Sequence, residues 1–220
     1  MASSSRKRSD ASAPAKLIDT AVKLYGQHGI DGISLRQISR AAGSANNYAV
    51  QYHFGSAAGL IRAILEKHIP QLEAMRERML TEAEQRDRLS DMRTLVDILY
   101  RPLIDRVDEQ GERSYARFIL ALDNAPAGVR HIGALSHLMT ASDHALRLLY
   151  AAIPDVPPAL VRERLRLITI MFLSSIFNRN PPFEGDEMDE ALIDNVLAMA
   201  TASLVAPVPS QIREMLSEPV

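Results

Sequence analysis

Hydrophobic residues recur at helical spacing along most of the chain, and turn-forming residues divide the pattern into segments. The first segment covers 15–28, with an apolar stripe at Leu17, Ile18, Ala21, Val22, Leu24 and Tyr25. Gly29 follows it, at the position where a helix end favours a left-handed residue. The pattern therefore predicts an N-terminal helix over 15–28.

The stretch from Ser34 to Leu60 contains two short helical segments joined by a turn. Ser34 is a suitable N-cap for a helix over 35–42, and Gly43 lets the backbone turn sharply after it. Ser56 is a suitable N-cap for the longer helix that follows the second short one. This arrangement predicts a helix, a tight turn and another helix in sequence.

The second short helix is predicted to start at an Asn46 cap and to run to about Phe54. Apolar side chains can close inward at Ile38, Ala42, Val50 and Phe54, which leaves an open face with Asn47, Tyr48, Gln51 and Tyr52. A short helix with amides and phenols on its open face is suited to a DNA groove.

Further helical patterns follow over 60–84, 90–110, 112–124, 129–153, 158–179, 186–203 and 207–216. Pro70 falls inside the first of them and is expected to kink or interrupt it. Asp186 is expected to cap the helix over 186–203. No segment alternates with a period of two between hairpin turns, so the predicted fold is all-α, with roughly nine or ten helices.

Charge is distributed unevenly along the chain. Residues 1–60 hold seven Lys or Arg and three Asp, a net charge of +4, whereas 61–220 hold eighteen Lys or Arg and twenty-four Asp or Glu, a net charge of −6. This asymmetry suggests that only the first part meets a polyanion. The Ser- and Ala-rich start, 1–14, clusters Arg6, Lys7 and Arg8 and is expected to be a flexible basic tail that can lie along DNA.

Composition excludes several classes of site. The chain contains no cysteine, so disulfide bonds, a thiol nucleophile and a thiolate metal site are excluded. The most apolar run, 167–177, has 11 residues between Arg166 and Arg179, whereas a membrane span needs about 20. With no secretory-signal pattern at the start, the sequence predicts a soluble, cytoplasmic protein without a membrane partner.

Residues from Ile18 to Leu65 resemble the DNA-binding domain of the tetracycline-repressor (TetR) family of bacterial transcriptional regulators. The matching positions are Ala21, Leu24-Tyr25, His28-Gly29, Ile33 to Ile38, Ala41-Ala42-Gly43, Tyr52 to Ser56 and Leu60. The resemblance implies a helix-turn-helix domain over 15–59 that binds double-stranded DNA. It also implies a helical effector-binding and dimerisation domain over 60–206, and 207–220 is expected to be a short terminal helix or tail.

The sequence departs from the family pattern at two places. The segment between Gly43 and Phe54 is one residue longer than the commonest pattern, which leaves the base contacts of Ser44 to Asn47 open. Ala57 and Ala58 stand where the family usually has Lys-Glu, so a Lys contact with phosphate is absent. The helix N-terminus and neighbouring donors must then hold the DNA backbone.

The candidate DNA contacts combine amides, phenols and cations. In a helix, Asn47 and Gln51 are four residues apart and share a face, and so do Tyr48 and Tyr52. Amides can pair with adenine, an aromatic ring can pack on a thymine methyl group, and hydroxyl, imidazole and guanidinium groups suit phosphate oxygens. The full set is Arg6, Lys7, Arg8, Ser34, Arg36, Gln37, Ser44, Asn46, Asn47, Tyr48, Gln51, Tyr52 and His53.

A recognition helix of this size contacts only a few base pairs. Such folds usually bind specific sites as dimers on two half-sites, so a homodimer on a pseudo-palindromic operator is expected. By analogy with the family, the helices over 158–179 and 186–203 would pair with those of a second copy as a four-helix bundle. The candidate seam residues are Leu165, Ile168, Phe172, Leu192, Val196 and Met199, whose spacing fits the core of a monomer as well.

By the same analogy, the helical body is expected to bind a largely apolar small-molecule effector. The candidate residues are Met92, Leu95, Leu99, Tyr100, Tyr115, Phe118 and Phe172, with His137, Ser174 and Asn178 as polar groups that can orient the ligand. Taken singly, each of these residues also fits ordinary packing.

The sequence therefore predicts a dimeric repressor whose effector changes the spacing of its two recognition helices. An architectural DNA-binding protein without an effector is the alternative. A metal-sensing regulator that uses His137, Asp143 and His144 is a less favoured version. The sequence has no Gly-rich phosphate loop, G-x-S-x-G or H-E-x-x-H, so neither an enzyme nor a bound cofactor or metal is expected.

Overall fold

The structure of the chain is a computed structural model that describes residues 12–125, 128–178 and 189–217. Within these residues every regular element is a helix, which confirms the predicted fold class. The elements are α1 (Ala13–His28), α2 (Leu35–Ala41), α3 (Ala49–Phe54), α4 (Ala57–Gln85), α5 (Met92–Asp105), α6 (Ser114–Asp123), α7 (Gly128–Gly133), a 3₁₀ turn (Ser136–Leu138), α8 (Thr140–Ala152), α9 (Pro158–Phe177), α10 (Asp189–Val205) and α11 (Ser210–Ser217).

Helices α1, α2 and α3 form a small N-terminal unit that packs on the first turns of α4. Ile38 and Val50 are fully buried in it, and Ala42 and Phe54 are half-buried. Leu60 on α4 closes the same core. The buried hydrophobic residues continue from this unit into the body as one cluster, so the N-terminal unit rests on a core that it shares with the other helices.

The interruption expected at Pro70 does not occur, because α4 is one helix of 29 residues from Ala57 to Gln85. Pro70 is exposed, and so is Glu66, the residue whose carbonyl loses its amide donor to the proline. Water can satisfy that carbonyl, which lowers the cost of the missing hydrogen bond. A single continuous helix therefore runs from the N-terminal unit into the body.

Helix α5 ends at Asp105, earlier than the predicted end at Gln110. The cause is Asp108, whose Oδ1 accepts the amides of Gln110 at 2.9 Å and Glu112 at 3.0 Å. Its Oδ2 accepts the hydroxyl of Ser114 at 2.8 Å. These bonds hold the chain in a turn and compete with continuation of the helix.

The single long helix predicted over 129–153 is wrong, because α7, the 3₁₀ turn and α8 replace it. Glu73 on α4 explains the break, since its Oε2 accepts the amides of Ala141 at 2.8 Å and Ser142 at 3.0 Å. In a continuous helix these amides would donate to carbonyls four residues earlier. The carboxylate instead caps the start of α8, where a helix favours an anion.

Glu73 belongs to a buried ion pair that joins three helices. Arg76 Nη1 lies 3.0 Å from Glu73 Oε1, and only 8% and 9% of the two side chains are exposed. The hydroxyl of Ser142 on α8 donates to Glu73, and Arg76 Nη2 donates to the carbonyl of Leu99 on α5 at 2.9 Å. Burial lowers the pKa of Arg76 and the neighbouring Glu73 opposes that change. The pair therefore ties α4 to both α5 and α8.

Helix α1 docks on α6 at very short range. A Cβ on Gly26 would lie 3.2 Å from the amide nitrogen of Phe118, a tight contact, so the close approach favours glycine. The ring of Tyr25 is fully buried beside that of Phe118, with 6.3 Å between their centroids. Beside this contact, Lys23 Nζ on α1 lies 3.4 Å from Asp108 Oδ2 in the loop that precedes α6. This contact fixes the N-terminal unit on the body.

Helices α9 and α10 pack on each other and on α5. Arg93 Nη2 on α5 lies 2.8 Å from Asp194 Oδ1 on α10, and Arg164 on α9 donates to the carbonyl of Leu204 at 2.7 Å. The predicted cap at Asp186 lies outside the described residues, within which α10 begins at Asp189.

No single helix within the described ranges is long and apolar enough to cross a membrane. One pair, Glu190–Val205 with Ser210–Leu216, meets the criteria of length and composition together, across a bend of 64°.

We expect Glu73→Ala to lower the free energy of unfolding by about 3–5 kcal/mol, because it leaves the buried Arg76 charge unpaired and uncaps α8. Urea unfolding followed by circular dichroism measures the change. Glu77→Ala, at an exposed position one turn along α4, is the control and should change stability by less than about 0.5 kcal/mol. Equal effects of the two substitutions would show that the ion pair does not stabilise the fold.

Candidate nucleic-acid interface

Helix α2 begins with reciprocal hydrogen bonds between Ser34 and Gln37. The Gln37 amide donates to Ser34 Oγ at 3.3 Å, and the Ser34 amide donates to Gln37 Oε1 at 2.9 Å. This capping box fixes the first turn of α2. Both residues are predicted DNA contacts. In the structure their side chains are already hydrogen-bonded to each other's backbone as the cap of α2.

The turn after α2 starts at Gly43, which has a φ of +74° that disfavours other residues. The amide of Ser44 donates to the carbonyl of Ser39 at 3.1 Å, and Ser44 Oγ accepts the amide of Asn46 at 3.2 Å. The side-chain oxygen of Asn46 accepts the amide of Tyr48 at 2.9 Å. The segment thus forms a compact turn of side-chain to backbone bonds.

The predicted start of the recognition helix is therefore wrong. Asn46 caps the turn, and α3 begins at Ala49 with Tyr48 at the N-cap position. Asn47 precedes the helix, so the shared helical face assumed for Asn47 and Gln51 is not formed. The extra residue between Gly43 and Phe54 is absorbed in this turn, because α3 itself remains short.

A buried hydroxyl holds α2 and α3 together. Ser39 is fully buried, donates to the carbonyl of Leu35 at 3.1 Å and accepts the amide of Val50 at 3.2 Å. The Val50 amide lies in the first turn of α3, where an amide lacks a helical acceptor. Sequence analysis missed this residue, and its only signal is a serine on the inward face of a short helix.

The outer face of α3 is polar and aromatic. Tyr52 is 80% exposed and Tyr48 is 52% exposed, and Gln51, His53 and Asn47 are also exposed. The rings of Tyr52 and His53 meet edge to face with 5.0 Å between centroids. All five predicted contacts are therefore exposed in the structure.

Arg36 and Tyr48 contact each other across α2 and α3. Arg36 Nη2 donates to Tyr48 Oη at 2.8 Å, and its guanidinium carbon lies 4.8 Å from the ring centroid. Both residues are among the predicted DNA contacts, and the sequence predicts no bond between them. The structure shows that Arg36 also orients the Tyr48 ring.

The start of α4 completes the surface. Ser56 is the N-cap, and its hydroxyl accepts the amide of Gly59 at 3.1 Å. The amides of Ala57 and Ala58 are in the first turn, which has no intrahelical acceptors for them, and both residues are exposed. Such a helix end attracts a phosphate group. The predicted basic contacts Arg6, Lys7 and Arg8 lie outside the described residues.

A second candidate site is a cavity of about 250 Å³ among α4, α5, α6, α8 and α9, which we call the apolar cavity. Its walls include the predicted effector residues Leu99, Tyr100 and Tyr115. Tyr100 Oη donates to the carbonyl of Leu165 at 3.0 Å, and Thr169 Oγ1 donates to the same carbonyl at 2.9 Å. These polar groups are satisfied within the protein, so the site favours an apolar ligand.

The other predicted effector residues do not line the apolar cavity. Leu95, Phe118 and Phe172 are fully buried in the hydrophobic core, which leaves them no free surface. Met92 and Ser174 are half-buried, whereas His137 and Asn178 are exposed. Sequence analysis missed the cavity residue Arg76, because its burial depends on the distant contacts of Glu73.

The predicted dimer residues divide by exposure. Ile168, Phe172 and Val196 are buried in the core of this chain, so their side chains leave little surface for a second copy. Leu165 and Leu192 are half-buried, and Met199 is 48% exposed. Leu167 on α9 and Val205 on α10, which the sequence prediction omits, are 51% and 52% exposed.

The structure separates the two histidines of the predicted metal-sensing alternative. His137 lies in the 3₁₀ turn and His144 in α8, so no single helix brings the two side chains to one face. Among the described residues, no three His, Asp or Glu side chains form a group suited to a metal ion.

The N-terminal unit matches a known protein family in sequence. Residues 17–64, which run from α1 into α4, match the family described as bacterial regulatory proteins, tetR family. No curated protein sequence matches the chain. Among solved structures, the multidrug binding protein EbrR in complex with imidazole is 20% identical, over 89% of this chain and 90% of that chain, with a TM-score of 0.44.

We expect Ser39→Ala to lower the free energy of unfolding by about 1–3 kcal/mol, because the buried Val50 amide loses its acceptor. Thermal unfolding measures this loss. Thr81→Ala removes a similar bond, from Thr81 Oγ1 to the Glu77 carbonyl at 3.0 Å, at an exposed position and should have little effect. If Ser39→Ala is as stable as the parent, the hydroxyl does not join the two helices.

Proposed function

We propose that this chain, which belongs to the tetR family of bacterial regulatory proteins, is a dimeric repressor that a small apolar molecule releases from its DNA operator. The chain is a DNA-binding regulator by its N-terminal domain. Repression, release by an effector and dimerisation are the parts that we infer. We also infer that it has no enzymatic activity and acts in the cytoplasm, where bacterial DNA lies.

One observation carries the proposal most directly: the exposed face of α3 sits on a rigid turn. Ser39 and Gly43 fix the turn, and Gln51 and Tyr52 are exposed on the helix. An amide can pair with an adenine edge in the major groove, and a phenol ring can pack on a thymine methyl group. Rigid placement lowers the entropy cost of these contacts.

Backbone contacts would surround the base contacts. The amides at the start of α4 suit one phosphate, and Ser34 and His53 offer hydroxyl and imidazole groups to others. The Arg36 guanidinium, beside Tyr48, adds a positive charge. The basic residues Arg6, Lys7 and Arg8 would strengthen binding at low salt.

The dimer would form on the outer faces of α9 and α10. Leu167, Met199 and Val205 are about half exposed there, which is a large fraction for apolar side chains on packed helices. A closed twofold arrangement would bury them against the same surface of a second copy. Two recognition helices would then face two half-sites, as a pseudo-palindromic operator requires.

The effector would bind in the apolar cavity. Leu65 and Leu72 of α4 line that cavity, and α4 begins at the DNA-binding surface. A ligand that prefers one position of α4 would shift the separation of the two recognition helices. An effector-free architectural protein would have no use for such a cavity, which favours the regulator.

We expect Gln51→Ala to reduce discrimination at particular base pairs by about 1–3 kcal/mol, because one amide pairing with a base is lost. Arg36→Ala should weaken binding to different sequences more evenly than Gln51→Ala does, since a phosphate contact carries no base specificity. Fluorescence anisotropy at one salt concentration, on an operator selected from random DNA and its single-base variants, measures both. Gln85→Ala, at an exposed position at the far end of α4, is the control.

The assignment of the recognition face is wrong if both variants bind the selected operator as tightly as the parent. Failure of the parent to select any sequence would contradict specific DNA binding itself.

We expect Leu167→Arg to convert the dimer to a monomer, because the substitution places a charge in the proposed interface. Sedimentation velocity at micromolar concentration measures the mass. Val107→Arg is a matched control, since Val107 is 49% exposed and lies outside α9 and α10. A monomeric parent protein, or a Leu167→Arg dimer, would contradict the proposed interface.

A further inference from the structure

A second and larger cleft lies between the N-terminal unit and the body. It has a volume of about 580 Å³, and its walls come from α1, the end of α2, α4, the loop after α5 and the start of α6. We call it the junction cleft. Its chemistry differs from that of the apolar cavity, because Lys16, Lys23, Lys67 and Arg106 all line it.

Most carboxylates in the junction cleft are already engaged. Asp19 Oδ1 lies 2.5 Å from Lys67 Nζ. Asp108 lies 3.4 Å from Lys23 and also accepts the hydroxyl of Ser114. These pairs link α1 to α4 and to the loop. Glu109 is the third carboxylate that lines the cleft, so four basic side chains stand against three acidic ones.

Arg106 is half-buried, and its Nε donates to Gln71 Oε1, a neutral acceptor, at 3.0 Å. Within the described residues no carboxylate forms an ion pair with it. Burial lowers the pKa of Arg106, although the guanidinium remains charged at neutral pH. Asp19 and Asp108 act on the Arg106 charge only from beyond ion-pair distance. A partly desolvated cation with no direct acidic contact is a favourable place for an anion.

The inner wall of the cleft is aromatic. The rings of His68 and Tyr115 stack with 4.5 Å between their centroids, and the Arg106 guanidinium lies 5.5 Å from the Tyr115 centroid. Burial, together with the charges of Arg106 and Lys67, lowers the pKa of His68 to about 3. The histidine is therefore neutral, chiefly because it is buried, and it adds no charge to the cleft.

We propose that the junction cleft is a second ligand site, which binds a small aromatic carboxylate through the Arg106 guanidinium, with the small exposed part of Tyr115 beside it. The carboxylate accepts two parallel hydrogen bonds from the fork of Arg106. The ring of the ligand packs beside the aromatic wall. Such a ligand contacts both the N-terminal unit and the body, and Tyr115 lines the apolar cavity as well.

The test is calorimetric titration of the full-length protein, without DNA, using benzoate as the probe. We expect benzoate to bind with a dissociation constant of about 1 mM or tighter. Benzamide has the same size and no charge, and it should bind at least about tenfold more weakly. Arg106→Gln should weaken benzoate by at least about tenfold, and Arg106→Lys should recover part of that loss.

Arg62→Gln is the matched control, because Arg62 is exposed on α4 and pairs with Glu66 at 2.8 Å, away from the cleft. Circular dichroism checks that each variant is folded, and Arg106→Lys keeps the test valid if Arg106→Gln is not. Three results would overturn the proposal: no benzoate binding, equal binding of benzamide, or binding that survives in both Arg106 variants. Because the assay contains no DNA, none of these results bears on operator binding.

Discussion

The buried contact between Glu73 and Arg76 is the point on which the arrangement of the body depends. One carboxylate caps α8, pairs with a cation on its own helix and accepts a serine hydroxyl. The cation in turn bonds to the backbone of α5. A buried ion pair of this kind adds little net stability over apolar packing, but its directional bonds fix the relative positions of three helices. Those helices also form much of the wall of the apolar cavity.

The N-terminal unit is held in place by hydrophobic packing on the body. It is too small to bury a large core by itself, and its hydrophobic residues join those of α4 and α6 in one cluster. Gly26 allows α1 to approach α6. The Lys67–Asp19 pair joins α1 to α4, and the Lys23–Asp108 pair joins α1 to the loop after α5. The position of the recognition helix therefore depends on the body, and a change in the body can reach the DNA-binding surface through packed helices.

The sequence predicts the fold class, α1, the start of α2 and the exposed polar face of α3 because local signals specify them. Periodicity, the Ser34 cap and Gly43 all act within a few residues. The break between α7 and α8 is not predictable in this way, because Glu73 and Ser142 are 69 residues apart in the chain. The predicted start of α3 is wrong for a local reason. An asparagine can cap a helix or close a turn, and the Asn46 side chain closes a turn here. Seam residues such as Ile168 and Val196 have the spacing of an interface, and only burial identifies them as core.

The unbroken α4 has a mechanical consequence. Between Arg76 and Ala57 the helix extends roughly 28 Å, at about 1.5 Å per residue. If Arg76 acts as a fulcrum, a tilt of about 5° carries the N-terminal end through roughly 2.5 Å, close to the length of a hydrogen bond. An angular change too small to disturb the packing around the fulcrum is thus enough to separate the amides of Ala57 and Ala58 from a phosphate. In the proposed release from DNA the helix would act as a lever, since Pro70 does not interrupt it.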